Sequence, residues 1–361
     1  MRTRLAVAVM SVVVAGGAAA APANFVVYVS GYSPHIARYD LDAASGRLTT
    51  LGTTPAAGNP SFLAVDRQHR FLYAVNEAEH GQVAAFAIDP ANGALQELDR
   101  VSSGGSTPAY VGIDHTGKWV LAANYGNGTV AVLPVRADGS LGPAIATPWV
   151  GANAHEIVPD QANRFVYVPC LGSSWVAQLA LDAATGALRP IARVAVTPPQ
   201  RGPRHLAFHP DRKHAYLVDE TSSSMEAFAV DAASGRLSRM QVLSTRPADA
   251  TGFNKAAEVW IDRAGRFLYA SNRGDDQIVI YALDAEGRMT VVGFHETGGR
   301  WPRDFTIDPT GRWLLVANKR SDNVVVLAVD AQNGLLTDTG TSVASPPAPS
   351  FVEVVALPLA R

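Results

Sequence analysis

From residue 25 onward, short apolar runs alternate with polar turns in an order that keeps returning. Each unit starts at a small or polar residue and passes through an apolar run and a polar turn. A basic residue then leads an aromatic or apolar run, and a third apolar run ends in the motif D-x-x-x-G-x-L. In the copy that opens at Pro60, Phe62 to Val65 and Phe71 to Val75 read as two strands, with Asp66, Arg67 and Gln68 turning between them. A third strand is predicted from Val83 to Ile88. The motif from Asp89 to Leu95 predicts a turn in which Gly93 takes positive φ, followed by a fourth strand. The same turn recurs from Asp42, Asp182, Asp231 and Asp330, and in shortened form from Asp138 and Asp284.

The period of this pattern sets the expected fold. The residue nine before each repeat's Arg or Lys is Ser61, Ala109, His155, Arg204, Ala257 or Arg303, and a truncated seventh copy begins at Ser350. The intervals between these anchors are 48, 46, 49, 53, 46 and 47 residues, the spacing of a four-stranded propeller blade. We therefore expect an all-β, seven-bladed β-propeller of four-stranded antiparallel blades. FVVYVSGY from Phe25 matches a second strand, whereas PSFVEVVALP from Pro349 matches a first strand. The C-terminal strand is thus expected to join the N-terminal blade and remove the edges that an open array would expose.

Comparison between blades separates scaffold from chemistry. The start of a first strand and the end of a second should share one rim, and here those points lie sixteen residues apart. The pairs are Ser61 with Glu77, Ala109 with Tyr125, His155 with Leu171, Arg204 with Glu220, Ala257 with Arg273, Arg303 with Lys319, and Ser350 with Tyr32. Any one charged residue here would suit a solvated strand end. Together, His155, Arg204, Glu220 and Arg273 in successive blades point to a site for an anionic or carbonyl-containing small molecule. Arg303, Lys319, Glu258, Glu77 and Tyr125 are the accompanying candidates for substrate binding. Asn76, Asn124, Asn272 and Asn318 are expected to serve strand ends and turns.

Composition narrows the field further. The chain of 361 residues has a net charge of −2 and is 17% charged, which offers no basic patch for nucleic acid. Arg2 and Arg4, the apolar run from Leu5 to Val14 and the small residues from Gly16 to Ala21 read as a cleavable signal peptide over residues 1–22. Residues 23–361 would then form one propeller domain, periplasmic or secreted, with no membrane insertion after cleavage and a monomeric or weakly oligomeric state. The lone Cys170 cannot form an internal disulfide. His35, His69, His80, His115, His209, His214 and His295 show no metal-ligand spacing, and there is no C-x-x-C or acidic calcium loop. Neither a metal nor another cofactor is expected.

GPRHLAFHPDRKHAYLVDE, from Gly202 to Glu220, resembles the G-P-R-H…F-H-P…Y-x-x-N-E segment of the seven-bladed propeller lactonases. That family includes propeller-type 6-phosphogluconolactonases and carboxy-muconate cyclases. RFLYASNRG around Arg273 and PRDFTIDPTGRWLLVANK around Arg303 resemble its later blades, so the resemblance covers the chain after the leader. It implies an active site at His155, Arg204, Glu220 and Arg273. It departs at Asn153, where the family often has a second histidine, and at Asp219, where the motif has Asn. The implied chemistry is metal-independent hydrolysis of a small, anionic, sugar-type lactone. His155 would act as general base with Glu220 orienting it or sharing the proton traffic, and Arg204 and Arg273 would hold the substrate anion and the developing oxyanion. A muconate-type lactonising isomerase and a non-catalytic exported binding protein stand as alternatives.

Overall fold

The computed structural model describes residues 24–196 and 198–357, and the expected leader lies outside them. Seven antiparallel sheets follow one another around a central channel, each ordered from the channel outward as first to fourth strand. Blade one comprises Pro349–Leu357, Asn24–Gly31, His35–Leu41 and Leu48–Pro55, in that spatial order. The C-terminal strand is therefore the innermost strand of the N-terminal blade, paired with it from Asn24↔Leu357 to Gly31↔Pro349. Val27, Val29 and Val352 of blade one pack with Leu315, Val324 and Val326 of blade seven, so the closing seam is as apolar as any other.

Blade three departs from the expected four strands. It has three, Pro108–Ile113, Trp119–Asn124 and Thr129–Pro134. The segment at the fourth position makes only isolated bridges, Thr129↔Trp149, Val132↔Ala146 and Val135↔Leu141. The sequence there, GPAIATPWV, carries two prolines, which lack the N–H that a ladder needs.

The repeated residues each have a structural task. In the turn between first and second strands, Asp Oδ1 accepts two backbone N–H groups, as Asp308 does from Arg312 at 2.9 Å and Trp313 at 2.8 Å. The basic residue of the dyad lays its guanidinium over the next ring, at 5.0 Å for Arg70 on Phe71 and 5.1 Å for Arg164 on Phe165. The motif glycines all take positive φ, 72° at Gly93 and 73° at Gly186, and 86° at Gly139 in a shortened copy. Their carbonyls receive a tyrosine from the preceding blade: Tyr28 to Gly93 at 2.7 Å, Tyr73 to Gly139 at 3.1 Å, Tyr167 to Gly235 at 2.5 Å, Tyr216 to Gly287 at 3.0 Å and Tyr269 to Gly334 at 2.9 Å. Blades three and seven have Leu121 and Leu315 in place of the tyrosine. There Trp119 and Trp313 reach the next blade's turn instead, through Nε1 to Ala183 and Ala43 carbonyls. Every junction between neighbouring blades is stapled through the turn that the sequence motif marks.

Five of the first strands carry a bulge at the anchor. Pro203 pairs with Asp219 and His205 with Val218, leaving Arg204 as the extra residue; Arg303 and Ala109 are extra in the same way. A bulge abolishes strict alternation, so the anchor and the residue after it both turn toward the channel.

Candidate active site

The rim residues chosen from the repeat meet at one mouth of the ring, around a cavity of about 500 Å³. Six of the seven residues at second-strand ends line it: Tyr32, Glu77, Tyr125, Glu220, Arg273 and Lys319, with Leu171 the exception. From the first-strand anchors come His155, Arg303 and Ala109. In a ring of seven, His155 in blade four stands across from Arg303 and Lys319 in blade seven.

Glu220 organises the cationic side. Its carboxylate accepts Arg273 Nη2 at 2.8 Å and Lys255 Nζ at 2.9 Å, with Arg204 Nε at 3.4 Å. Burial alone would raise its pKa, yet Arg273, Arg204 and Lys255 together hold it down to about 2. A carboxylate so pinned is not a base near neutral pH, and no hydrogen bond joins it to His155 among the described residues. The expectation that Glu220 orients His155 is thereby corrected.

Arg204 also departs from its expected place. It is 3% exposed and lies outside the cavity lining. Its guanidinium donates to the Ala257 carbonyl and stands between Glu220 and Glu258, the latter at 3.8 Å. It ties Glu220 and Glu258 to the Ala257 carbonyl beneath the mouth. Arg273 keeps contact with the cavity while donating to the Ala256 carbonyl and Glu220. Burial and the neighbouring cations Arg204 and Arg303 lower its pKa to about 9.

The cations left for a ligand are those assigned a secondary part by the sequence. Among the described residues Arg303 and Lys319 make no ion pair; both lie over the Tyr32 ring, at 5.6 and 3.7 Å from its centroid. Burial, with Arg303 and Arg273 nearby, lowers Lys319 to about 8. Tyr32 in turn donates to Glu77 Oε2 at 2.8 Å. Counting side chains in the lining, Lys255, Arg273, Arg303, Lys319 and Arg320 face Glu77 and Glu220, an excess of three positive charges with His155 neutral. An anionic guest fits that excess.

His155 forms the floor. Burial, followed by Arg204, His205, Arg303 and Arg273, pushes its pKa well below 6.5, so the ring is neutral. Its Nδ1 lies 3.1 Å from His205 Nε2, and His205 Nδ1 lies 2.9 Å from Glu258 Oε1. Glu258 was expected at the rim; the bulge in blade six carries it inward instead, where it lines a second cavity of about 590 Å³ toward the other end of the channel.

His205 and Glu258 belong to the column directly after the anchors: Phe62, Tyr110, Glu156, His205, Glu258, Asp304 and Phe351. Strict strand alternation would send that column into the blades, which is why sequence reasoning passed over His205. The signal was present, because four of the seven members are acidic residues or histidine. A second missed column lies two residues before the anchors. It supplies Lys255 and Trp301 to the mouth, and Phe253 lies nearby. Trp301 holds φ of 65°, a backbone state that costs a bulky residue roughly 1–3 kcal/mol. It stacks on Phe253 at 6.2 Å, and the Arg320 guanidinium covers its ring at 3.5 Å.

The remaining candidates fall elsewhere. Asn76, Asn124, Asn272 and Asn318 bond turn and strand-end groups, as expected; Asn318 Nδ2 donates to the Thr297 carbonyl at 3.1 Å. His209, Asp211 and His214 bring one ligand atom each within 4.8 Å of one another, a grouping that the spacing argument missed. They form the blade-five version of the Asp turn: Asp211 Oδ1 accepts Lys213 N at 2.7 Å, and His209 Nδ1 accepts Asp211 N at 3.1 Å.

A family model described as "Lactonase, 7-bladed beta-propeller" matches residues 26–354. A 6-phosphogluconolactonase of Bacillus subtilis (strain 168) is 31% identical over 288 residues, covering 77% of this chain and 82% of that protein. A 6-phosphogluconolactonase of Pectobacterium carotovorum is 34% identical over 282 residues, covering 78% and 83%. Among solved structures, the periplasmic gluconolactonase PpgL of Pseudomonas aeruginosa superposes with a TM-score of 0.87 at 34% identity, over 93% of this chain and all of that one. A fold closed by its own C-terminal strand, a mouth lined from all seven blades and a match over nearly every described residue agree: this chain belongs to the seven-bladed β-propeller lactonase family.

Proposed function

We propose that this protein hydrolyses a sugar-type lactone bearing an anionic group, and that it works outside the cytoplasm. The observation that carries the reading is a neutral, buried His155 set across the mouth from two cations that make no ion pair among the described residues, Arg303 and Lys319. The leader predicted from the sequence and the likeness to a periplasmic gluconolactonase support the location.

Lactone hydrolysis needs an activated water, a place for the carbonyl oxygen's developing charge, and a proton for the departing alkoxide. His155 takes a proton from water as the oxygen attacks the carbonyl carbon. It returns that proton to the ring oxygen as the C–O bond breaks. Arg273 retains Nη1–H groups that no described residue accepts, and these face the oxyanion; a donor of this kind is worth about 10²–10³ in turnover. Arg303 and Lys319 hold the substrate's anion. An anion bound there offsets the positive field of Arg273 and Arg303 on His155, so substrate binding raises the basicity of the group that will act on it.

The test is a panel of aldonolactones, phosphorylated and not, offered to the purified protein with and without chelator. Turnover of an anionic lactone is expected, with kcat/KM falling about tenfold to a hundredfold in Arg303→Ala through KM. Binding of the same compounds with no turnover of any of them would sink the enzymatic reading.

A further inference from the structure

Below the mouth, three ionisable groups run in line along the channel wall, and only the first faces the cavity. We infer that His205 and Glu258 are positioning residues: together with His155 they form a buried Glu–His–His relay that fixes which nitrogen of His155 is the base and steadies the charge it gains. The inference rests on the lactonase reading of the mouth and extends it to residues that touch no substrate.

The polarity of the relay follows from donor and acceptor capacity. An ionised carboxylate only accepts, so Glu258 requires the proton of His205 on Nδ1, 2.9 Å from Oε1 and 2.8 Å from Oε2. His205 Nε2 is then an acceptor, and the group 3.1 Å away, His155 Nδ1, must be the donor. His155 is left with a lone pair on Nε2, the nitrogen free to take a proton from water. The rings are held in place: His155 and His205 meet edge to face at 4.9 Å, and His205 is edged by Phe62 at 5.8 Å and Tyr110 at 5.7 Å. Glu258 is held by Val259 N on Oε1 at 3.1 Å.

The surrounding charges make the carboxylate matter. His155 faces Arg204, Arg273 and Arg303 and the ring of Tyr125; His205 faces Arg204 and Arg303. Protonating His155 there puts a cation among cations. Glu258 is the compensating anion on that side. Burial acts against its charge, but His205 and Arg204 keep its pKa below the usual value. Its acidic neighbours do not compete for that role, because burial raises Asp304 and Glu156 well above the carboxylate range. During turnover the proton moves from water to His155 Nε2 and on to the alkoxide. His205 and Glu258 keep their own protonation states throughout.

Glu258 also lines the cavity of about 590 Å³ on the far side of the channel, away from the substrate. A small carboxylate can therefore reach its place without entering the mouth. The experiment measures kcat, KM and the pH–rate profile for wild type, Glu258→Gln and Glu258→Ala, the last with and without formate. Glu258→Gln should lower kcat by about 10²–10⁴, by analogy with the carboxylate of a Ser-His-Asp triad, with KM within about twofold and the acidic limb displaced to lower pH. Formate should restore part of the activity of Glu258→Ala and none should be gained by wild type. Wild-type kcat in Glu258→Gln would overturn the relay, as would a loss of kcat with an unmoved pH profile and no rescue. Nitrogen NMR of the His155 ring supplies a reading independent of turnover. It should show Nε2 unprotonated in wild type and a tautomer mixture in Glu258→Gln, and a protonated Nε2 in wild type would refute the proposal. If wild type hydrolyses no lactone while that signature holds, the function assigned to the mouth fails and the relay stands.

Discussion

Each ionisable residue at the mouth owes its role to its neighbours. Arg303 and Arg204 occupy the same position in two blades, yet one faces a cavity and the other is tied to Glu220, Glu258 and the Ala257 carbonyl. Lys319, at about 8, loses its charge within reach of ordinary assays. KM for an anionic lactone should therefore rise as pH passes about 8, and the rise should vanish in Lys319→Met, whose KM is already high. Glu220 is the opposite case, an anion that three cations share. Its folded pKa of about 2 lies below the ordinary 4.5, so its contribution to stability is present above 4.5 and is lost as pH falls through 2. Glu220→Gln should cost on the order of 3 kcal/mol in urea unfolding at neutral pH, and the gap to wild type should close in acid. The identities of these residues were legible as breaks in the repeat. Their partners were not, because pairing depends on a bulge that turns two successive side chains the same way, and nothing in the spacing announces it. That is why Arg204 and Glu258 were expected at the rim and His205 was passed over.

At the scale of the element, the repeat is legible because each conserved place in the blade answers a backbone need. The motif glycine needs positive φ and its carbonyl accepts from the preceding blade, whose tyrosine three residues into the second strand supplies the hydroxyl. Blades three and seven show the same need met differently, with tryptophan Nε1 replacing the missing phenol. Removing one staple tests this. Tyr216→Phe deletes a buried 3.0 Å hydrogen bond to the Gly287 carbonyl and should cost about 1 kcal/mol in urea unfolding, with kcat unchanged. The weak fourth strand of blade three was hidden by its position in an otherwise regular period. Pro143 and Pro148 are the physical reason it pairs only through isolated bridges.

Across the whole molecule, the channel is polarised. The mouth gathers Lys255 and Arg273 from blade six and Arg303, Lys319 and Arg320 from blade seven, whereas at the far cavity Glu258 keeps its charge beside Glu156 and Asp304, whose pKa values burial raises. A field of that shape draws anions toward one end, and the closed ring holds the two ends in fixed relation. His155 sits where the cationic mouth meets the relay that leads to the acidic side. Its substitution is the most direct test of the account. Steady-state hydrolysis of an anionic aldonolactone should fall by at least about a hundredfold in His155→Ala, with its urea midpoint close to that of wild type. Turnover at the wild-type rate by a folded His155→Ala would contradict the account.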